Sequence, residues 1–306
     1  MSNAVVNALP AANATSLVNY HIYPQRFPAA SFPTSFNRPI STLLGLDPTN
    51  PLVRMNSFPG KNGSQPYVNN VPLGAVDITT ANGIIHKPLA VIAPPTRLLK
   101  DTMDRVVNLT YFKAAMAKAD SGQTNLNRFD SLRNYAVTNM TILAPNDAAF
   151  QTLIFGLVYG KVLAATGNVD TANVKATAAV AIGPAIFNVP AFYPELAAAN
   201  VRGIMAYHLL ATPTAPYQPA MRVFSVNVPT PTFDFKTLVN NSLATHPGIR
   251  AQATFTGPVV SALTFSSVGS FPPGGAPFSY TATAVARDRH AVNGVFHIID
   301  KVLLPQ

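Results

Sequence analysis

The sequence has no cysteine among its 306 residues. Disulfide bonds, thiol catalysis and cysteine-based metal sites are therefore excluded. Charged residues make up only 11% of the chain, well below the roughly 25% of an average soluble protein. With 28 prolines and 17 glycines in addition, the composition indicates a loop-rich extracellular protein. The lack of cysteine fits a bacterial exported protein.

Concentrated charge is also missing. The net charge is +9 and the pI about 9.9, which would suit a nucleic-acid partner. The 21 basic residues are scattered, however, and the densest group, Arg287, Arg289 and His290, contains Asp288. We therefore expect no nucleic-acid partner.

No apolar run is long enough to predict a membrane span. The most apolar stretch, residues 152–167, is interrupted by Lys161 and by glycines, and a span needs about 20 apolar residues. The first residues lack a basic segment followed by an uninterrupted apolar core. If the protein is exported, we expect its signal to lie outside this chain.

One phrase occurs twice. Residues 293–305 read NGVFHIIDKVLLP, and residues 82–95 read NGIIHKPLAVIAPP. The Asn-Gly pair predicts a tight turn, because both residues tolerate φ > 0. The apolar alternation that follows predicts a strand over residues 295–304 that is covered on both faces. We expect this strand to lie inside a sheet, beside a strand around residues 140–144.

The repeat extends upstream of the phrase. A Tyr-His pair precedes each copy, and in each copy an aspartate lies five residues before the asparagine. The second copy is longer between these features, and we expect the extra length to form loops within residues 257–280, where Pro and Gly are frequent. The residues of the repeat are Tyr20, His21, Asp77, Asn82, Gly83 and His86 in the first copy and Tyr207, His208, Asp288, Asn293, Gly294 and His297 in the second.

The junction between the copies is the Pro-rich segment 93–96. Thr96 is placed to cap a helix that begins at Arg97. Further along, residues 139–150 predict a short strand, a turn and a helix that Asp147 caps. Residues 157–200 are alanine-rich and predict helices interrupted near Gly183 and Pro190.

Three ordered motifs resemble those of the fasciclin (FAS1) family. They are the segment TILAPNDAAF at 141–150, the central Tyr-His pair, and the closing phrase at 293–305. The resemblance covers 97–306 as one complete domain with an Ala-rich insertion, and 1–92 as the C-terminal half of another. The matching residues of the complete domain are Thr141, Pro145, Asn146, Phe150, Tyr207, His208, Asn293, Gly294, His297 and Asp300.

The resemblance implies an α+β fold in which a β-wedge or β-sandwich is flanked by helices, here with a partial β-rich repeat before it. It also implies a secreted or cell-surface protein linked to adhesion. In animal members an Asp-Ile pair before the Asn-Gly phrase is implicated in integrin recognition. The first copy has Asp77-Ile78, but the second has Asp288-Arg289. The interpretation we favour is that each aspartate orders its turn.

His208, His297 and Asp300 are the residues from which a catalytic triad or a metal site could be drawn. We favour a structural role for both histidines, with ring nitrogens bonded to backbone groups. His21 and His86 lie in a half-domain that could hardly host a complete site, which supports this view. The sequence has neither a Gly-x-Ser-x-Gly elbow nor a phosphate loop, so we expect no enzyme, no cofactor and no metal.

Two functions remain open. The first is a non-catalytic surface module for adhesion or for matrix or glycan association, with an extracellular protein or glycan as partner. The alternative is a small-molecule or lipid-binding domain, or a degenerate enzyme, with an apolar pocket near the Ala-rich insertion. Because the half-domain lacks part of its cover, we also expect possible self-association through it.

Overall fold

The computed structural model describes residues 8–34, 36–124, 128–136, 138–192, 195–270 and 277–305. The fold is α+β, as predicted. Its α-helices are α1 (Ala11–Tyr20), α2 (Leu99–Asp104), α3 (Thr110–Ala119), α4 (Phe129–Asn134), α5 (Asp147–Thr166), α6 (Val169–Ala181) and α7 (Ala198–Tyr207).

The strands are β1 (Ile40–Asp47), β2 (Asn50–Ser57), β3 (Pro59–Asn62), β4 (Gln65–Val68), β5 (Val71–Thr79), β6 (Ile84–Pro88), β7 (Met140–Pro145), β8 (Phe233–Phe235), β9 (Ile249–Thr256), β10 (Val259–Ser270), β11 (Pro277–Ala291) and β12 (Gly294–Ile299). They form a two-stranded sheet β1-β2, a four-stranded sheet β3-β4-β5-β6 and a six-stranded sheet β7-β12-β11-β10-β9-β8.

Strand β12 lies inside the six-stranded sheet, as the two-sided apolar pattern predicts. It pairs antiparallel with β11 and parallel with β7, with Val295 opposite Thr141. All six of its residues are buried. The strand is shorter than predicted, however. It ends at Ile299, because the backbone bends at Asp300, so Pro305 does not end it.

The chain divides into two compact units. Unit 1 comprises Met1–Thr96, Val223–Pro231 and Ala253–Ser261, and unit 2 comprises Arg97–Arg222, Thr232–Gln252 and Ala262–Gln306. The first boundary between the units falls at the end of the Pro-rich junction. The other boundaries assign two later segments of the chain to unit 1.

Those two segments are bonded into unit 1 at several points. The Asn37 amide donates to Asn227 Oδ1 (2.7 Å), and the Asn62 amide donates to the carbonyls of Val226 and Val228 (3.1 and 3.2 Å). The Tyr67 hydroxyl donates to the Pro258 carbonyl (2.9 Å). Unit 1 therefore draws part of its packing from residues far along the chain.

The core of unit 2 lies between its helices and the strands β7 and β12. Phe112 of α3, Phe150 of α5 and Phe296 of β12 are each at most 2% exposed. Phe150 stacks on Tyr111 (ring centroids 6.2 Å apart) and meets Phe187 edge-on (6.0 Å). Burial of aromatic side chains on this scale dominates the hydrophobic stabilisation of a core.

The two copies of the sequence repeat have the same backbone geometry. Helices α1 and α7 have ten residues each and end at the tyrosine of the Tyr-His pair. In the hairpin β5–β6, Ala75 lies opposite Lys87; in β11–β12, Ala286 lies opposite Ile298. The residue numbers differ by a constant 211 (286 − 75 and 298 − 87), and the bulge falls at the same place. The repeat is therefore a structural repeat.

Several local predictions were correct only in part. Each Asn-Gly pair lies at a hairpin turn, as predicted, but neither of its residues adopts φ > 0; the aspartates do, with φ of 57° at Asp77 and 56° at Asp288. Within residues 257–280, where loops were expected, the described residues lie mostly in strands β10 and β11. The expected loop at residues 271–276 lies outside the described residues. The Ala-rich helices do break where Gly183 and Pro190 indicate, since two 3₁₀ segments begin there.

The predicted first residues and caps of two helices, α2 and α5, were also displaced by one or more positions. Helix α2 begins at Leu99, and Thr96 does not cap it; its Leu99 N–H instead donates to the side chain of Asn293 (2.7 Å). Helix α5 is capped by Asn146, whose Oδ1 accepts from Ala149 N (2.9 Å). Asp147 is already helical.

Candidate functional site

The Tyr-His pair of unit 2 joins helix α7 to the segment after β12. His208 Nδ1 donates to the carbonyl of Ile204 (2.8 Å), and Nε2 accepts from the N–H of Leu303 (3.0 Å). The side chain is fully buried, and burial lowers the pKa of His208 to about 4. A neutral ring with both nitrogens bonded to the backbone has neither a free lone pair for a metal nor a proton to transfer.

The first copy repeats this arrangement. His21 Nδ1 contacts the Leu17 carbonyl (2.8 Å), four residues back as in the second copy, and Nε2 accepts from Ile92 N (3.3 Å). The preceding tyrosines are bonded as well: Tyr20 donates to the Asn56 carbonyl (3.2 Å) and Tyr207 to the Gly248 carbonyl (2.7 Å).

The second histidine of each copy holds the bulge in its hairpin. The N–H of Asp288 donates to His297 Nδ1 (3.3 Å), and the N–H of Asp77 donates to His86 Nδ1 (3.2 Å). Both aspartates have left-handed backbones. The Asp77 carboxylate accepts from Ala29 N (2.9 Å), and Ile78 beside it is 39% exposed.

Asn293 connects three segments of unit 2. Its Oδ1 accepts from Leu99 N (2.7 Å), and its amide group donates to the carbonyls of Arg133 (2.9 Å) and Tyr135 (2.8 Å) and contacts the Thr138 hydroxyl (3.2 Å). The side chain is fully buried. Because these bonds use both amide protons and the carbonyl, Asn293 is a structural residue.

Gly294 is required by close packing. A Cβ at this position would overlap the Leu99 side chain and the Met140 carbonyl. In the first copy Asn82 is exposed, and a Cβ on Gly83 would meet only Thr80 Oγ1, at 3.7 Å. The same two letters therefore have a packing role in one copy and none in the other.

The remaining motif residues also bond within the fold. Thr141 donates to the Met221 carbonyl (2.6 Å), and Pro145 is the last residue of β7. Asp300 is half-buried and its Oδ1 accepts from the Thr283 N–H (2.6 Å), which ties the end of β12 to β11. These contacts join strand ends within unit 2. In unit 1, by contrast, one cleft is lined by five residues of the first copy, namely Tyr20, His21, Asn82, Gly83 and His86.

An apolar cleft lies between α5 and α6. Gly167 (φ 63°) ends α5, and Asn168 caps α6 by accepting from Thr171 N (2.8 Å), so the two helices form a hairpin. The cleft has a volume of about 550 Å³. Its lining is mostly aliphatic, with Lys161, Lys175 and Glu195 as the charged groups; the aliphatic and aromatic residues include Leu157, Val158, Val162, Ile182, Phe192 and Leu196.

The charged residues of the cleft differ in their partners. Lys161 pairs with Glu195 (2.9 Å). Lys175 is exposed, and no described residue bonds to its ammonium group. The cleft therefore combines an apolar body with one available cation. An apolar pocket near the Ala-rich insertion was the alternative of the two functions that the sequence left open.

Helix α5 is long and apolar enough to cross a membrane by length and composition alone. Only 17% of its most apolar window is buried within the fold. A single helix of this kind is weak evidence for a membrane span.

A buried arginine was not predicted from the sequence. Arg222 donates through Nε to Asn139 Oδ1 (2.7 Å) and through Nη2 to the Val292 carbonyl (2.9 Å), and its Nη1 lies 2.8 Å from His290 Nε2. Burial, and then the Arg222 charge, hold the pKa of His290 well below its usual value. No spacing pattern links these positions in the sequence, so no signal could have revealed the contact.

Within the described part of the chain, no group of three or more His, Asp or Glu side chains is close enough to hold a metal ion. The geometry supports structural roles for the motif residues, and the α5–α6 cleft is an apolar, ligand-sized cavity of unit 2.

No protein-family model and no curated protein matches the chain. Among solved structures, a FAS1 domain pair from the insect cell adhesion molecule fasciclin I is similar. That alignment covers 95% of this chain and 80% of that one, at 12% identity and a TM-score of 0.36. A similarity at this level carries no argument about function, and the α+β class rests on the helices and sheets described above.

Proposed function

We propose that this chain is a non-catalytic binding module of the fasciclin type, one complete domain preceded by a partial one. The motifs of the sequence support the family, and the bonding of the motif residues supports the lack of catalysis. Both ring nitrogens of His208 are engaged by backbone groups, and burial keeps the ring neutral. An exported, cell-surface location accords with the low charge and the absence of cysteine.

The function that the geometry supports best is the binding of an amphiphilic small molecule in the α5–α6 cleft. The observation that carries this conclusion is the cleft itself, with about 550 Å³ of largely apolar space. Ligand sites of this size are mostly apolar with few polar groups. The Lys175 ammonium group suits an anionic head, such as a carboxylate, on an apolar tail.

Displacement of a fluorescent fatty acid by unlabelled fatty acids tests this function. Two adjacent exposed alanines on α5 give a matched pair, because Ala165 lines the cleft and Ala164 does not. Ala165→Phe should fill the cleft and weaken binding about tenfold or more, whereas Ala164→Phe should bind as the unaltered chain does. Equal binding by the two variants would contradict the proposal.

The head-group contact has a separate test. Lys175→Gln should weaken binding of the fatty acid about fivefold to tenfold and leave binding of the corresponding neutral alcohol unchanged, since only the charge is removed. If both ligands weaken equally, Lys175 does not contact the head group.

Adhesion or matrix and glycan association is the second candidate function. The exposed side chain of Ile78, on the bulge that Asp77 forms, is the observation that favours it. A matrix-protein and glycan array probed with the full chain and with Ile78→Ala tests it. A ligand that binds the unaltered chain and binds the Ile78→Ala variant more weakly would support this role. If no spot on the array binds the chain, the ligands on the array are excluded.

A further inference from the structure

Strand β7 is bonded along both edges in unit 2. On one side it runs parallel to β12, with Ile142 opposite Phe296. On the other side the Leu143 N–H donates to the His208 carbonyl (2.9 Å), and the Leu210 N–H donates to the Thr141 carbonyl (3.1 Å). Strand β7 therefore fills the space between β12 and the three residues after α7.

Unit 1 contains both flanks of this space. Strand β6 corresponds to β12 through the common register of the hairpins. The residues His21, Ile22 and Tyr23 after α1 correspond to His208, Leu209 and Leu210. The Leu43 N–H donates to the Ile22 carbonyl (2.9 Å) in unit 1, and the Leu238 N–H donates to the Leu209 carbonyl (3.0 Å) in unit 2.

An open cleft of about 540 Å³ lies between these flanks. Its lining includes Ile22, Tyr23, Ile84, Ile85, His86 and Ile92. In the part of the chain that the structure describes, β6 is the end strand of its sheet, and no residue bonds to the His21 carbonyl or to the Tyr23 N–H. The side chain that corresponds to the fully buried Leu209, Ile22, is 41% exposed.

We propose that this cleft is a docking site for a β-strand that another polypeptide chain supplies. Two backbone edges line a cleft of mixed polarity, and the structural repeat indicates an occupant that fits such a space. That occupant is an extended segment of about six residues parallel to β6, as β7 is to β12. This inference does not depend on the α5–α6 cleft.

The chemistry of the segment follows from the lining. All six residues of β7 are buried, so both faces of the docked strand must be apolar or neutral. The lining of the cleft contains Arg26 and two histidines and no carboxylate. A lysine or arginine in the docked segment would therefore have no acidic partner, and an uncharged segment is favoured.

A second copy of this chain is the less suitable donor. Its own β7 is bonded on both edges and buried in its own core. Release of that strand would leave one edge of β12 unpaired, at the cost of several buried backbone hydrogen bonds. A separate chain with an unpaired apolar strand has no such cost.

The probe is a fluorescein-labelled peptide, TNMTILAPN, which has the sequence of residues 138–146. We expect saturable binding to the full chain by fluorescence polarisation. A peptide with proline in place of the residue equivalent to Ile142 is the control, since it lacks an N–H and cannot extend a sheet. It should bind at least about tenfold more weakly.

Two exposed positions provide the matched protein variants. Ile22→Asp places a carboxylate in the cleft and should weaken peptide binding about tenfold or more. Val18→Asp, on α1 outside the cleft and 56% exposed, should bind as the unaltered chain does. Thermal unfolding of both variants should match the unaltered chain, because neither side chain is buried.

Four outcomes would overturn the proposal. They are a lack of saturable binding, equal binding by the two variants, binding only after residues 1–7 are removed, and a dimer of the full chain that the peptide dissociates. The third result would assign the cleft to the chain's own N-terminus. The fourth would assign it to a second copy.

Discussion

The two Asn-Gly phrases begin NGVFH and NGIIH, so they share Asn, Gly and His and are apolar at the two positions between. Their environments are nevertheless opposite. Asn293 is fully buried and bonds to three segments of the chain. Asn82 is exposed, and its side chain has a long contact of 3.5 Å with the Thr80 hydroxyl. The difference arises from the neighbours. In unit 2, Asn293 bonds to Leu99 of α2 and to Arg133 of α4, whereas the bond described for the Asn82 side chain is to Thr80, two residues away. A motif can therefore keep its sequence and its hairpin geometry in a place where the residues that pack against it are different.

The largest expected effect concerns the division of unit 1. Expressed alone, residues 1–96 lack the segments 223–231 and 253–261 and the bonds from Asn37, Asn62 and Tyr67 to them. We expect no cooperative unfolding transition for this fragment, whereas residues 97–306 should melt in one transition. Calorimetry of both fragments is the measurement. A sharp, reversible melt of monomeric 1–96 would contradict the comparison.

The second largest expected effect is a difference in stability between substitutions of the two asparagines. Asn293→Ala leaves the Leu99 N–H and the carbonyls of Arg133 and Tyr135 without their partner, at a cost of about 3–5 kcal/mol. Asn82→Ala, on the surface, should change the free energy of unfolding by less than about 0.5 kcal/mol. Urea unfolding of both variants measures the difference. Costs within about 1 kcal/mol of each other would show that burial does not separate the two copies.

Substitution of the two glycines should also destabilise the second copy more than the first, by a smaller margin. Gly294→Ala forces a Cβ against the Met140 carbonyl and the Leu99 side chain, and overpacking of this kind costs about 1–3 kcal/mol. At Gly83 there is ordinary space, and neither glycine has a left-handed backbone. We expect Gly83→Ala to be neutral or slightly stabilising. Unfolding midpoints that shift equally would refute the packing argument.

The buried histidine should make stability depend on pH. Its lowered pKa, about 4 against 6.5, means that His208 contributes fully above pH 6.5 and that this contribution is lost as pH falls through 4. The loss is about 3 kcal/mol at most by linkage. His208→Asn should be less stable at pH 7 and have a shallower pH dependence between 6.5 and 4.

The control for this experiment is Val201→Ala, a buried position on α7 that retains every histidine. This variant should lose stability and keep the full pH slope, part of which His246 and His290 also supply because burial lowers the pKa of both. An unchanged slope in His208→Asn would show that the ring is already solvated.

Local and periodic features could be predicted from the sequence. The breaks at Gly183 and Pro190 follow from local propensity, and the inner position of β12 follows from its two-sided apolar pattern. The α+β class followed from the motif resemblance. These features depend on residues close together in sequence or on the total apolar content of one strand.

Long-range contacts could not be predicted. The cap of α2 comes from Asn293, 194 residues away, so inspection of Thr96 and its neighbours could not find it. The positive φ falls on Asp77 and Asp288 and not on Asn-Gly, because the hairpin bulge and the histidine bond select the aspartate. The Arg222–His290 contact likewise depends on tertiary structure alone.

The assignment of residues 223–231 and 253–261 to unit 1 also sets an order of events during synthesis. When Thr96 has left the ribosome, the residues that complete the packing of unit 1 have not been translated. At about 5–20 residues per second, the wait is roughly 8 to 30 s. Unit 1 must spend this time without the hydrogen-bond partners of Asn37, Asn62 and Tyr67, so its packing is completed only after most of unit 2 has been synthesised.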